Sequence, residues 1–415
     1  MRKLGVGLVI LSLVGACGGG EASRNPITRG PGNPDADAGD GLSVRPQPAV
    51  PIHDDTQLHQ AELTMSADDW QSIIDDTRGD DLRHAKLTYD GVVVDDVGIR
   101  PSGESSRMPG NSKQSIRVKL DAFGHGKFAG LKEINIKGEY DDYSMMRERL
   151  SYFVFRQMLP TPQAAHVRLV VNGQLRGLYT IREIWDADSI KAHFPEPLGP
   201  LYRVRGFVGM DPYAYLGPTT SAYVPSPWES HIDKPARGDE VIPALLDVIN
   251  NNPAMIESVV DVEDLLDYLA AFAVVMCTDG FVGDHGVSDH FQYFDPQSGK
   301  FFILPWDPDN TWSSQDELPT RSITKSFSRN ALSRLVRDTS DVYARYVAKI
   351  RAVMTTVPLT SLQGEVDAIY QQIQQAAYED PFKAFTNAEF DWSASHLKDV
   401  LAQRYASLLD QAGSN

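Results

Sequence analysis

The sequence predicts an α+β protein of two lobes, sheet-rich over residues 50–205 and helical over residues 206–413. Three observations predict it. Short runs up to about residue 205 alternate apolar and polar residues, the period of strands. Two dipeptides inside that stretch, Asp90-Gly91 and Asn172-Gly173, are strong hairpin signals. From Asp261 onward the apolar spacing becomes helical.

The chain opens with "MRKLGVGLVILSLVGAC". Arg2 and Lys3 precede an apolar run over residues 4–16, too short to span a bilayer, which needs roughly 20 residues. The pattern is that of an export signal over residues 1–16. Val14-Gly15-Ala16-Cys17 resembles the lipobox of bacterial lipoproteins, which implies cleavage before Cys17, a lipid on its sulfur and attachment to a membrane. The residue after Cys17 is glycine rather than aspartate, which by resemblance to sorting signals favours the outer membrane. Residues 17–49, rich in Gly, Pro, Ala and Asp, read as a disordered tether.

The N-terminal lobe begins with the strand "QLHQAELTM" and the helix "SADDWQSIIDD", capped by Ser66. "HAKLTYDGVVVDDVGIRPSG" is a hairpin, "QSIRVKLDAF" and "GLKEINIKG" are strands, and "SMMRERLSYFVFRQM" is a helix. "HVRLVVNGQLRGLYTIREIWD" is the second hairpin. In the C-terminal lobe Asp261 caps the helix "VEDLLDYLAAFAVVMC". The strands "HFQYF" and "FFILPW" follow, joined by "DPQSGK", and residues 329–413 carry several amphipathic helices.

Hydrophobic residues make up 42% and charged residues 23%, which fits a globular protein, and the net charge of -17 argues against nucleic acid as a partner. With Cys17 lipidated, Cys277 has no disulfide partner, so the core alone must hold the fold; Cys277 reads as a buried small hydrophobe.

The chemistry gathers in "FFILPWDPDNTW". A turn at 296–299 places Asp307 opposite residues 288–289, so Asp289 and Asp307 meet at the open end of the hairpin. Asp279 and Asp284 lie on the preceding loop and Asp309 just beyond Asp307, so up to five carboxylates converge. Carboxylates this close repel unless a cation sits among them, and hard oxygen donors suit Mg²⁺, Mn²⁺ or Ca²⁺. An EF-hand is excluded, because Trp312 and Leu318 stand where its glycine and bidentate glutamate belong. The order of helix, loop Asp, hairpin and metal Asp is also that of protein kinases. A solvated acidic cap with an Asx turn at Asp309 accounts for this segment alone equally well.

Five segments tip the balance: "VGIRPSGESS", "GLKEINIKGEYDDYSMMRERLSYFVF", "VVNGQLRGLYTIREIWD", "LYRV" and "LLDYLAAFAVVMCTDGF…FQYFDPQSGKFFILPWDPDNTW". In this order, from about residue 50 to the C-terminus, the chain resembles the CotH family of atypical protein kinases. The resemblance implies a kinase-like two-lobed fold that binds ATP and Mg²⁺ and phosphorylates serine on a partner protein. It implies that Asp307 holds the metal with Asp289, where the family has Asn, and that Asp309 assists. The catalytic Asp falls on Asp279 when anchored on the preceding helix and on Asp284 when anchored on the following hairpin; the Asp-Gly-aromatic context favours Asp279.

Phosphoryl transfer needs cations around the phosphates, for which Arg100, Lys113, Lys137 and Arg203 are candidates. Glu183 is a candidate partner for one of them or for the adenine edge, and Tyr179 and Trp306 for stacking on adenine, against core packing as the alternative. Ser102 and Glu104 depart from the family pattern, which has a basic residue and Asn there. A noncatalytic envelope or adhesion protein is the competing reading. A glycosyltransferase using Asp307-x-Asp309 as a DxD element is a third, although the chain lacks alternating βαβ units.

Overall fold

The computed structural model describes residues 51–413 apart from 76–78, 104–106, 108–109, 125 and 313–318. The export signal, the tether, Cys17 and Glu104 lie outside the described residues.

The first seven strands are β1 (His59–Thr64), β2 (Arg83–Tyr89), β3 (Val92–Pro101), β4 (Ile116–Lys119), β5 (Glu133–Lys137), β6 (Ala164–Val171) and β7 (Gln174–Arg182). They form a closed barrel in the order β1-β2-β3-β4-β5-β7-β6. Both hairpins sit where the Asx-Gly signals put them. Asp90 and Gly91 have φ of 45° and 83°, Asn172 and Gly173 of 52° and 76°, the left-handed pairs that a two-residue turn requires. Closure comes from β1 running parallel to β6, with Ala61 opposite Leu169. Alternate residues such as Leu63, Leu87, Ile99, Val118, Ile136, Val167 and Ile181 fill the interior. Each such side chain contributes about 1.5–3 kcal/mol of burial. α1 (Ala67–Asp75), capped by Ser66 accepting from the Asp69 N–H at 3.0 Å, adds Trp70 and Ile73 to the same core.

A second sheet, in the order β11-β10-β8-β9, is built from β8 (Leu201–Val204), β9 (Trp228–Ser230), β10 (His290–Asp295) and β11 (Lys300–Pro305). Phe291, Tyr293, Leu304 and Trp306 pack from one face with α3 (Ala187–Ile190), while Phe294, Phe301 and Ile303 pack from the other into the helical core. That core holds α2 (Arg147–Phe155), α4 (Val241–Asn251), α5 (Val262–Val275), α6 (Ala331–Asp338), α7 (Ser340–Thr356), α8 (Leu359–Glu379) and α9 (Asn387–Ala412). α5 begins at Asp261, which accepts from the Asp264 N–H at 3.0 Å, and its apolar circumference is buried. Among the described residues no helix is long and apolar enough to cross a membrane.

The mixed α+β character matches the expectation from sequence, but the kinase-like two-lobed arrangement does not. The N-terminal strands close on themselves, and the hairpin expected in the C-terminal half is part of a separate four-stranded sheet that draws strands from both halves. β8, expected in the N-terminal lobe, pairs with β10 at Phe291↔Arg203. The physical reason is closure. Joining β1 to β6 satisfies both ladder edges of the barrel, so the chain leaving β7 has no edge there to extend and starts a new sheet.

Gly138 shows how closely the chain leaving β5 packs against the segment that precedes β4. A Cβ placed there would lie 2.0 Å from the Lys113 carbonyl oxygen, a backbone atom that cannot rotate away. Gly138→Ala is expected to destabilise the protein by about 1–3 kcal/mol, read as a lower urea midpoint. An unchanged midpoint would show that the two segments separate freely.

Candidate functional site

The β10–β11 ladder runs from Asp295 opposite Lys300 at its closed end to His290 opposite Pro305 at its open end. Asp289 and Asp307 lie next to that open end. Both are buried, and both hold left-handed backbone, with φ of 41° and 50°. Aspartate visits this region more readily than bulkier side chains, yet two such residues facing each other mark local strain. Beyond Asp307 the chain turns tightly, the Asp309 N–H donating to the Asp307 carbonyl at 2.9 Å. Asn310 then donates from Nδ2 to Asp279 Oδ2 at 3.0 Å, and the Thr278 N–H donates to the Asn310 carbonyl at 3.0 Å. The 278–284 loop is thereby fastened to the acidic turn.

The barrel and α2 supply the opposing charges. Lys137, the last residue of β5, places Nζ 2.8 Å from Asp307 Oδ1, 2.5 Å from Asp309 Oδ2 and 3.2 Å from Glu148 Oε2. Arg182, the last residue of β7, pairs through one guanidinium nitrogen with both Asp307 and Glu148. α2 carries Glu148 and also Tyr152, whose hydroxyl accepts from the Asp307 N–H at 3.1 Å. From the second sheet, Arg203 Nη2 lies 3.1 Å from Asp289 Oδ1. Trp306 stands between the two arginines, 5.7 Å from the Arg182 guanidinium and 5.9 Å from that of Arg203. The indole before the acids therefore has a role. It fills the space between two cations while its π face attracts both.

Burial by itself would raise the Asp307 carboxyl, but Arg182 and Lys137 outweigh it and hold it well below the usual range. Burial pushes Asp289 well above that range, with Arg203 opposing and Asp307 and Asp279 adding repulsion. Burial also raises Glu148, against Arg182 and Lys137. Glu139, buried behind Lys137, is pushed up to about 8 by burial, which outweighs the pull of Lys137. Asp289 Oδ2 and Asp307 Oδ2 are buried and have no hydrogen-bond partner among the described residues. Among the described residues no three His, Cys, Asp or Glu side chains group to hold a metal ion by themselves. Two carboxylates with open oxygens are nevertheless a donor set that Mg²⁺ uses when water and phosphate complete its shell, so the residues present fit the ion.

The structure brings Asp289, Asp307, Asp309, Lys137 and Arg203 together, with Asp279 tied to them through Asn310. Trp306 is 3% exposed and enclosed by Phe291 and the two arginines, so stacking on adenine would require it to move. Asp284 turns the other way, pairing with Arg321 at 3.3 Å and accepting from the Ser326 hydroxyl. The convergence of five carboxylates is thus one of four. Lys113 is buried against Asp380 at 2.6 Å and lies over the Tyr179 ring at 4.2 Å, a pin between barrel and α8. Tyr179 itself belongs to the barrel core. Arg100 pairs with Asp80 at 2.6 Å, and Glu183 is buried beside Arg182 at the exit of β7.

Sequence reasoning missed Arg182, Glu148, Glu139 and Asn310. Strand alternation offered a signal for the first: with Tyr179 and Ile181 facing the barrel interior, Arg182 must face outward, toward α2.

The chain matches the family described as CotH kinase protein over residues 99–408, and it belongs to that family. It is also similar to the inner spore coat protein H of Bacillus subtilis (strain 168), 24% identical over 294 residues that cover 68% of this chain and 79% of the relative.

Two outcomes follow from the charge arrangement. Arg182→Met leaves Asp307 and Glu148 buried against a single lysine and should destabilise by about 3–5 kcal/mol; adding Glu148→Gln should recover part of that loss in a double-mutant cycle. Glu139 holds a proton in the folded state that the unfolded chain, at 4.5, has released. Its contribution to stability therefore falls as pH rises from 4.5 toward 8, by at most about 1.4 kcal/mol per pH unit. Glu139→Gln should flatten that slope in urea titrations across this window, and an unaltered slope would assign the titration elsewhere.

Proposed function

We propose that the chain transfers the γ-phosphoryl group of ATP to serine on a partner protein, with Asp289 and Asp307 holding Mg²⁺. The observation that carries this reading is the pair of open carboxylate oxygens on two left-handed residues, ringed by Lys137, Arg182 and Arg203. Mg²⁺ bound there supplies positive charge to the phosphate oxygens. Lys137 and Arg203 orient phosphate oxygens once these compete with the carboxylates. Asp279 accepts the proton of the serine hydroxyl as that oxygen bonds to the γ-phosphorus and the bond to ADP breaks. Asn310 fixes the Asp279 rotamer for this task through the 3.0 Å contact.

Asp279→Asn keeps the shape of the side chain and removes the base, so it isolates chemistry from folding. With labelled ATP, Mg²⁺ or Mn²⁺ and a serine-rich acceptor, it should lower transfer by about 10²-fold or more while leaving the melting temperature unchanged. Equal transfer by the variant and the parent protein would remove Asp279 from the reaction.

A second reading is a noncatalytic surface or coat protein. It is favoured by Lys137 and Arg182 already neutralising Asp307, and by the relative being a spore coat protein. Mg-ATP that fails to raise the melting temperature would support it. For location we propose export and a lipid on Cys17; Cys17→Ala should then move the chain from the membrane fraction to the soluble fraction.

A further inference from the structure

Beside the 279–289 loop lies a cleft of about 620 Å³, lined at Gly286 and Val287 by that loop, by Phe207 and residues 209–211 on one side, and by Lys325, Arg329 and Arg334 on the other. Its charged lining is Lys325, Arg329 and Arg334 against one carboxylate, Asp211. The cations are held in place. Arg329 Nη2 donates to the Asp284 carbonyl at 2.7 Å, Arg334 Nη2 to Asp211 at 3.0 Å, and Lys325 lies 3.6 Å from the Asp284 carboxylate. Phe207, which lines the cleft, is 70% exposed, apolar surface next to positive charge.

The floor is stiff and continuous with the proposed transfer site. The Gly206 N–H donates to the Val287 carbonyl at 2.5 Å, and a Cβ on Gly286 would come within 2.9 Å of the Gly206 oxygen. Gly280 bridges Val287, and the Ser288 N–H donates to the Gly280 carbonyl at 3.0 Å. One loop thus lines the cleft at Gly286 and Val287 and carries Asp279 and Asp289 at its two ends.

We infer that this cleft is the docking groove for an acidic segment of the acceptor protein, lying near its serine. The inference rests on the phosphotransfer reading for the word acceptor, but the groove does not depend on catalysis. Charge complementarity selects the occupant: a local excess of cations on a chain of net charge -17 attracts short acidic stretches, while the overall field repels long polyanions. Phe207 adds an apolar contact that a peptide satisfies and a free anion does not. Asp284 then acts as a positioning residue, collecting Arg321, Lys325 and Ser326 beneath the groove.

The test is fluorescence anisotropy on the full chain without nucleotide or metal. Three labelled probes are compared: a peptide with serine flanked by Asp and Glu, its counterpart flanked by Lys and Arg, and an oligothymidylate of matching charge. The acidic peptide should bind at least about tenfold tighter than either other probe, and Lys325→Ala/Arg334→Ala should weaken it about tenfold. Phe207→Ala, a change at an exposed position, should weaken it severalfold and serves where the double variant melts early. Equal binding of the two peptides, equal binding of the oligonucleotide, or unchanged binding by these variants each overturns the proposal. Transfer is measured separately, so acidic-peptide binding without label transfer sinks the kinase reading alone, and transfer indifferent to acidic flanks sinks the groove alone.

Discussion

The Asp307 carboxylate is withdrawn from water, and everything near it is arranged around that fact. A lone buried carboxylate costs several kcal/mol, so the fold has to bring charge to it. Lys137 and Arg182 end neighbouring strands of the barrel, β5 and β7, which pair at Lys137↔Thr180. Because the two strands are antiparallel, with Asn135 opposite Arg182, the two cations lie diagonally across the ladder on one outward face of the barrel wall. α2 must then dock beneath them, because Glu148 balances the second positive charge and Tyr152 receives the Asp307 N–H. The barrel, α2 and the β10–β11 hairpin are joined by this one electrostatic knot.

Asp289 and Asp307 are neighbours at one hairpin mouth but belong to different electrostatic surroundings. Arg182, from the barrel, pairs with Asp307, whereas Arg203, from the second sheet, pairs with Asp289. Burial and repulsion drive their proton affinities apart, one well above and one well below the ordinary range. Pairs of acids separated in this way are the usual raw material of acid–base and metal chemistry. Membership of the CotH kinase family fits that chemistry.

Much of this was legible in the sequence because its signals are local. Asp90-Gly91 and Asn172-Gly173 specify turns by backbone sterics alone, and the cap at Asp261 specifies where α5 starts. The facing of Asp289 and Asp307 followed from counting along a hairpin. Barrel closure was not legible, since the pairing of β1 with β6 joins residues more than a hundred positions apart and leaves no mark on either strand. Lys113 was misread for a related reason. Its partner, Asp380, lies at the end of α8, and nothing near Lys113 in the chain announces it. The two alignment anchors pointed to Asp279 and Asp284 in turn, with local context favouring Asp279, and the path of the loop sends Asp284 to Arg321 and Asp279 to Asn310.

The sheets also constrain how the molecule can be recognised. In the barrel every strand has two neighbours. On β11 the outward N–H groups are already taken, Phe301 by the Val259 carbonyl and Ile303 by Asp264 on α5. Only β9, three residues long, borders the second sheet on its other side. Among the described residues, a ligand that binds by β-augmentation, laying its own backbone alongside as an added rung, finds almost no template. Selectivity for partners must instead be written in side chains, where one substitution can retune it without disturbing the scaffold.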